Sequence, residues 1–362
     1  MNWIKTIFIN INILIIFIFI LNMSSIGIYK IYHILNDVKN NDKKYELPSY
    51  ANQDWAKTYF DEFNNVSFQY KDYYVWRSLP FSGETINIDK NGHRKTYQHP
   101  DENNLSKIAV FIGGSTTWGF GAYDEGTIPS FFSKYMKGKY KAVNLGENGY
   151  CAFQEYTYLS YQLANGLKPD LIVSYDGVNQ LKSLQNINEG FGSARENQIQ
   201  EMMKGKDTKK DLEFNMIIKP INDFIVKLVE KYNNKNKQEE LDLSEKNIES
   251  AAKEVIESWM LINNLAKINN SKYIIILQPN LYIGNPKKDH LILREERGKA
   301  YKLLYKKIKD MIKLEKYKDI YSKFYDFTNA YDNEQYLYCD DCHVSPVGNE
   351  IIAKKIINIL NN

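Results

Sequence analysis

Ile108-Ala109-Val110-Phe111-Ile112-Gly113-Gly114-Ser115-Thr116-Thr117-Trp118-Gly119 reads as a buried strand that stops abruptly. Five consecutive apolar residues, three of them β-branched, suit a parallel strand covered on both faces. The double glycine lets the backbone turn tightly and approach whatever lies above the strand end. Ser115 is thereby presented at the tip of the strand, which is where ligands bind in an open α/β sheet. A tight turn with a polar filler would look the same, so the rest of the chain has to decide.

From Lys107 onward the pattern alternates. Strands are expected over Ile108–Ile112, Ala142–Leu145, Leu171–Tyr175, Tyr273–Leu277 and Phe324–Phe327. Helices are expected over Ile128–Met136, Gln154–Gly166, Glu245–Asn269, Leu293–Lys313 and Val347–Leu360. Such β/α alternation implies a five-stranded parallel sheet with helices on both faces. The polar stretch 181–243 interrupts it, with helical pieces such as Phe224–Tyr232.

Upstream, no charge falls between Lys5 and Lys30, and the apolar run Thr6–Ile28 is long enough to cross a bilayer as a helix. A cleavable signal peptide competes, but the run is long for one and Ser25-Ile26-Gly27 is a poor cleavage site. The expected organisation is an anchor or signal peptide (1–29), a stalk with an accessory β-hairpin region (30–106) and a main domain (107–362). The stalk covers His33 to Glu46; the hairpin is placed on Thr85–Lys90 with its turn at Asn91-Gly92. The short N-terminal tail suits a cytoplasmic N-terminus and a body outside the membrane, although Lys30, Lys39, Lys43 and Lys44 argue the other way. A net charge of +3 from 47 basic and 44 acidic residues gives no nucleic-acid footprint.

The polar residues collect after the strands: Gly113-Gly114-Ser115, Asn144-Leu145-Gly146-Glu147-Asn148-Gly149, Asp176-Gly177-Val178-Asn179, and Cys339-Asp340-Asp341-Cys342-His343. In a parallel sheet these four elements meet on one edge. Their chemistry is that of acyl transfer. A serine hydroxyl needs an imidazole to take its proton, and His343 is the histidine embedded in such a cluster. Asp340, three residues earlier, can hold the other ring nitrogen and steady the imidazolium. The backbone N–H groups of Ser115 and Gly149, with the Asn179 amide, can receive the developing oxyanion.

These four blocks resemble the signatures of the SGNH (GDSL-type) hydrolases. The resemblance runs from Ile108 to the C-terminus apart from 181–243, with Gly114 and Thr116 standing where the family usually has Asp and Leu. It implies a flavodoxin-like three-layer α/β/α sandwich and no cofactor. Ser115 becomes the nucleophile, Asp340 and His343 complete the triad, and Ser115, Gly149 and Asn179 form the oxyanion hole. It also implies an ester substrate, such as an acylated envelope or extracellular carbohydrate. Transfer of the acyl group to a glycan hydroxyl stands beside hydrolysis, and the stretch 181–243 is a candidate lid.

Other readings stand beside this one. A non-catalytic glycan-binding protein could keep the fold. Cys339-Asp340-Asp341-Cys342-His343 also matches C-x-x-C-H, the c-type haem attachment signature. Cys339 and Cys342 could pair with each other or with Cys151 in a disulfide, as suits an oxidising compartment. Zinc held by Cys151, Cys339, Cys342 and His343 is the weaker option, because a carboxylate–histidine pair already explains the motif.

Overall fold

The computed structural model describes residues 43–103, 106–184 and 241–361, with scattered positions between 3 and 20. The expected span Thr6–Ile28 therefore lies largely outside the described residues, and no helix among the described residues is long and apolar enough to cross a membrane. The expected lid lies outside them as well, except at its ends, where the Asp242 N–H donates to the Leu184 carbonyl at 3.0 Å.

Five parallel strands form the main sheet: β5 (Lys107–Gly113), β6 (Tyr140–Asn144), β7 (Leu171–Asp176), β8 (Lys272–Leu277) and β9 (Phe324–Asp326). Their order is β6-β5-β7-β8-β9, which in chain order is the flavodoxin-like 2-1-3-4-5 arrangement. Strand β7 (Leu-Ile-Val-Ser-Tyr-Asp) is buried at every position, as a central strand covered on both faces must be. The order reverses between β5 and β7, so the crevice opens above Gly113 and Tyr175, which are paired strand ends of the same ladder.

Helices α3 (Ile128–Met136) and α7 (Pro346–Asn361) pack together. Helices α4 (Ala152–Ala164), α5 (Glu245–Ile268) and α6 (Glu295–Met311) pack in succession. Right-handed crossovers place these two groups on opposite faces of the sheet, giving three layers. Local chemistry sets the helix starts. The Thr127 hydroxyl accepts the Ser130 N–H ahead of α3, and Pro129 fills a position that needs no donor. All five strands and five helices expected from the sequence are present, with ends displaced by one or two residues.

The accessory region is less regular than expected. After helix α1 (Trp55–Phe63), strands β1 (Phe68–Lys71) and β2 (Val75–Ser78) form a hairpin that the sequence did not reveal. The expected strand shrinks to β4 (Asn87–Ile88), which pairs with β3 (Phe81–Ser82). The Asn91-Gly92 turn forms, with Gly92 at φ 81, but it closes a single bridge between Ile88 and Arg94. The region is fused to the main domain through an aromatic core of Tyr50, Tyr59, Phe60 and Trp118, which also takes in Cys339.

Candidate active site

Ser115 opens helix α2 (Ser115–Trp118) at the end of β5. The glycines before it are needed for close approach. A Cβ on Gly113 would sit 2.0 Å from the Thr117 hydroxyl, and one on Gly114 would sit 2.2 Å from the Asn179 amide nitrogen. Gly114 therefore admits Asn179 to the backbone of Ser115, where the bulkier Asp would collide. Thr116 donates to the Gln278 side chain beyond β8 at 3.1 Å, tying the serine turn to a strand end two places away across β7.

The Ser115 Oγ lies 2.6 Å from His343 Nε2, although 228 positions separate them in the chain. On the far side of the ring, Nδ1 is 2.9 Å from both carboxylate oxygens of Asp340. The loop bearing them is a closed turn: Cys339 N–H donates to the His343 carbonyl at 2.9 Å, and the Asp340 carboxylate accepts the backbone N–H groups of Cys342 and His343 at 3.1 and 2.9 Å. One carboxylate thus shapes the turn and orients the imidazole. Burial would raise the Asp340 carboxyl, but His343 and then Lys44 outweigh it and hold it far below the usual carboxylate range.

The Asn179 amide donates to the Tyr150 carbonyl at 2.7 Å, which leaves its second N–H for a ligand. The same carbonyl would lie 3.3 Å from a Cβ on Gly114, so Gly114, the Gly149-Tyr150 turn and Asn179 form one cradle around the serine backbone. Gly149 adopts φ 82, a left-handed conformation that suits glycine. As first residue of a helix, Ser115 directs an N–H that has no intrahelical partner. A tetrahedral oxygen placed there would meet fixed donors.

Two clamps from the accessory region hold the cradle. Glu147, fully buried, accepts the Ser78 N–H and hydroxyl at 2.7 and 2.9 Å and lies 3.6 Å from Arg77. Trp76 donates to the Asn148 carbonyl at 3.1 Å. Arg94, also buried, donates to the carbonyls of Gly119 and Ala122 at 2.7 and 2.5 Å and pairs with Asp124 at 3.1 Å. Sequence reasoning found nothing catalytic in this region; its contribution is to fix the loops on either side of Ser115.

Lys44 is the second omission. Assigned to the stalk from its place in a run of charges, it lies 3.0 Å from Asp340 and 4.9 Å above the Phe120 ring. Phe120 in turn packs against the His343 ring at 4.4 Å. No motif marks either residue.

The cysteines correct a further expectation. All three are free thiols. Cys151 sits beneath Asn179, its sulfur 3.7 Å from that residue's carbonyl. Cys339 is enclosed by the aromatic core, whereas Cys342 lies 3.6 Å from His343 Nδ1. Closeness in sequence says nothing about where sulfurs point, and these face three different surroundings. Burial pushes the Cys151 and Cys339 thiols up to about 12, and burial with the charge of Asp340 pushes Cys342 well up, so none is a ready thiolate. Haem attachment finds no support: Cys339 is enclosed, and both His343 nitrogens are engaged by Ser115 and Asp340. The proposed zinc set is not assembled either. Asp340, Cys342 and His343 do bring donor atoms within 4.8 Å of one another, but the same two engaged nitrogens leave the triad as the simpler account.

No protein-family model matches the chain, and no curated protein does. Among solved structures it is similar to a carbohydrate acetylesterase family member from Sinorhizobium meliloti, at 13% identity over 70% of this chain and 97% of that one, with a TM-score of 0.40. It is also similar to a member of the lipolytic G-D-S-L family from Veillonella parvula, at 10% identity over 71% and 100% of the two chains and a TM-score of 0.39. A third likeness is to an acetyl xylan esterase, at 14% identity over 70% and 99% of the two chains and a TM-score of 0.36. Scores this low lend no weight to any reading of activity. The residues have to carry it.

Proposed function

We propose that this chain is a serine-dependent ester hydrolase of the SGNH (GDSL) type. The observation that carries the reading is the unbroken relay from the Ser115 hydroxyl to His343 at 2.6 Å and on to Asp340 at 2.9 Å. His343 takes the Ser115 proton as the oxygen attacks the acyl carbon. Asp340 steadies the imidazolium, and the Ser115 and Gly149 N–H groups with Asn179 receive the oxyanion. The leaving alcohol collects the proton from His343, and water then releases the acid by the same steps in reverse.

Acetyl or other acyl esters of envelope carbohydrate are the substrates this reading favours. It combines the serine relay with the expectation that the apolar run Thr6–Ile28 holds the body outside the membrane. Transfer to a glycan hydroxyl would use the same acyl-enzyme with a sugar in place of water. Hydrolysis of p-nitrophenyl acetate by the full chain, lost in Ser115→Ala, is the expected result. Retention of that activity in the variant would refute the serine mechanism. Product analysis with an acetyl donor and a glycan acceptor then separates transfer from hydrolysis.

A further inference from the structure

A cation touches the relay from outside. Lys44 Nζ lies 3.0 Å from Asp340 Oδ2, and both side chains are about one-fifth exposed (20% and 23%), so solvent screens the contact only in part. The lysine is not loosely placed. It begins a 3₁₀ turn (Lys44–Glu46) in which Leu47 N–H donates to the Lys44 carbonyl at 3.1 Å. A second turn follows, and the Tyr50 hydroxyl donates to the Gly121 carbonyl at 2.8 Å, fastening the segment to the loop after Ser115. Phe120 fills the angle between the ammonium and the imidazole, in contact with both.

We propose that Lys44 is a positioning residue for the triad, holding the Asp340 carboxylate against the His343 ring while offsetting part of its charge. This rests on the hydrolase reading and goes beyond it. A carboxylate alone favours the protonated ring, which cannot act as a base; a cation on the same carboxylate opposes that protonation. The other titratable groups facing Asp340 are Tyr50 from the N-terminal segment and Cys339 and Cys342 from its own loop. Burial raises all three, so they stay neutral and leave Lys44 and His343 as the partners that charge can reach. Asp341 is turned away, 2.9 Å from Arg297.

Removing the ammonium in Lys44→Met should move the acid limb of kcat/KM for ester hydrolysis to higher pH by about half to one unit. On the plateau kcat should fall about three- to tenfold with KM little changed, because Asp340 Oδ2 loses the partner that holds it against the ring while Oδ1 keeps its backbone bonds. Lys44→Arg should restore the wild-type limb. A readout independent of turnover is the pH titration of the His343 ring by NMR in histidine-labelled full chain, whose midpoint should move in the same direction. An unmoved midpoint and limb in folded Lys44→Met would overturn the proposal, as would identical profiles for the Met and Arg variants. Should Lys44→Met and Lys44→Gln both fail to fold, the lysine is a structural cation and the proposal fails too. If the ring titration moves but wild type shows no Ser115-dependent hydrolysis, the hydrolase reading fails and the pairing stands.

Discussion

The two arms of the relay are held by different forces. The serine arm belongs to the sheet: Ser115 is 9% exposed, it follows a strand buried from Ala109 to Gly113, and glycines allow its neighbours to close in. The histidine arm has no strand immediately beneath it. It is a turn beyond β9, anchored by the buried Tyr338 and Cys339, closed by the Tyr338–Val344 bridge, shaped by Asp340's own carboxylate and tied by charge to Lys44 and, through Asp341, to Arg297. Sheet packing holds one arm; the other adds ionised carboxylates to its buried anchors, so part of its hold depends on pH.

The sharpest way to break this contrast is to remove the chemistry without the support. Ser115→Ala should lower kcat/KM for a model ester by about 10⁴-fold or more while the melting temperature stays within a degree or two, because packing rather than the hydroxyl holds that arm. Asp340→Asn should cost about 10³- to 10⁴-fold in kcat and also loosen the turn, which hydrogen exchange at Cys342 and His343 would register. Glu147→Ala tests the clamp on the serine side. Leaving Arg77 buried beside an empty site should destabilise the fold by about 3–5 kcal/mol in denaturant titrations, enough to expose the cradle.

Smaller effects sharpen the same contrast. Asn179→Ala removes one oxyanion donor and should lower kcat by about 10²- to 10³-fold with KM nearly unchanged. The least conspicuous effect is on stability against pH. The Asp340 carboxyl is held below its ordinary range in the folded state, so its contribution is present above the unfolded value near about 4 and is lost as pH falls toward the folded one. The stability gap between wild type and Asp340→Asn should be flat above about pH 5 and narrow below about pH 4. A constant gap down to pH 2 would mean that the pairing adds no stability.

Buried strands were legible because their residues have one environment to suit: Leu171–Asp176 can be read from its apolar run, and the polar group that ends each run marks the edge where chemistry collects. Ser115 was legible for the same reason, whereas Asp340 and His343 were legible from their spacing, a carboxylate three residues before a histidine. Exposed, tyrosine-rich strands have no such constraint, and Phe68–Lys71, with its mixed exposure, passed unseen. Lys44 was hidden more deeply: a lysine among lysines carries no trace of the carboxylate it meets 296 positions later. Arg94 likewise reads as surface charge, although it is buried among carbonyls that only the folded chain assembles. The disulfide expectation erred in the opposite sense, taking nearness along the chain, or for Cys151 nearness across the crevice, for contact between sulfurs.

The place of Lys44 has a practical side. Anyone shortening the chain from its N-terminal side would find residue 45 a natural place to cut, since the charged run ends about there. The trimmed material could keep its sheet, its melting curve and its serine, yet respond differently to acidity. That difference would be easy to credit to the missing apolar run. One ammonium group, discarded with the charged run, would be the real cause.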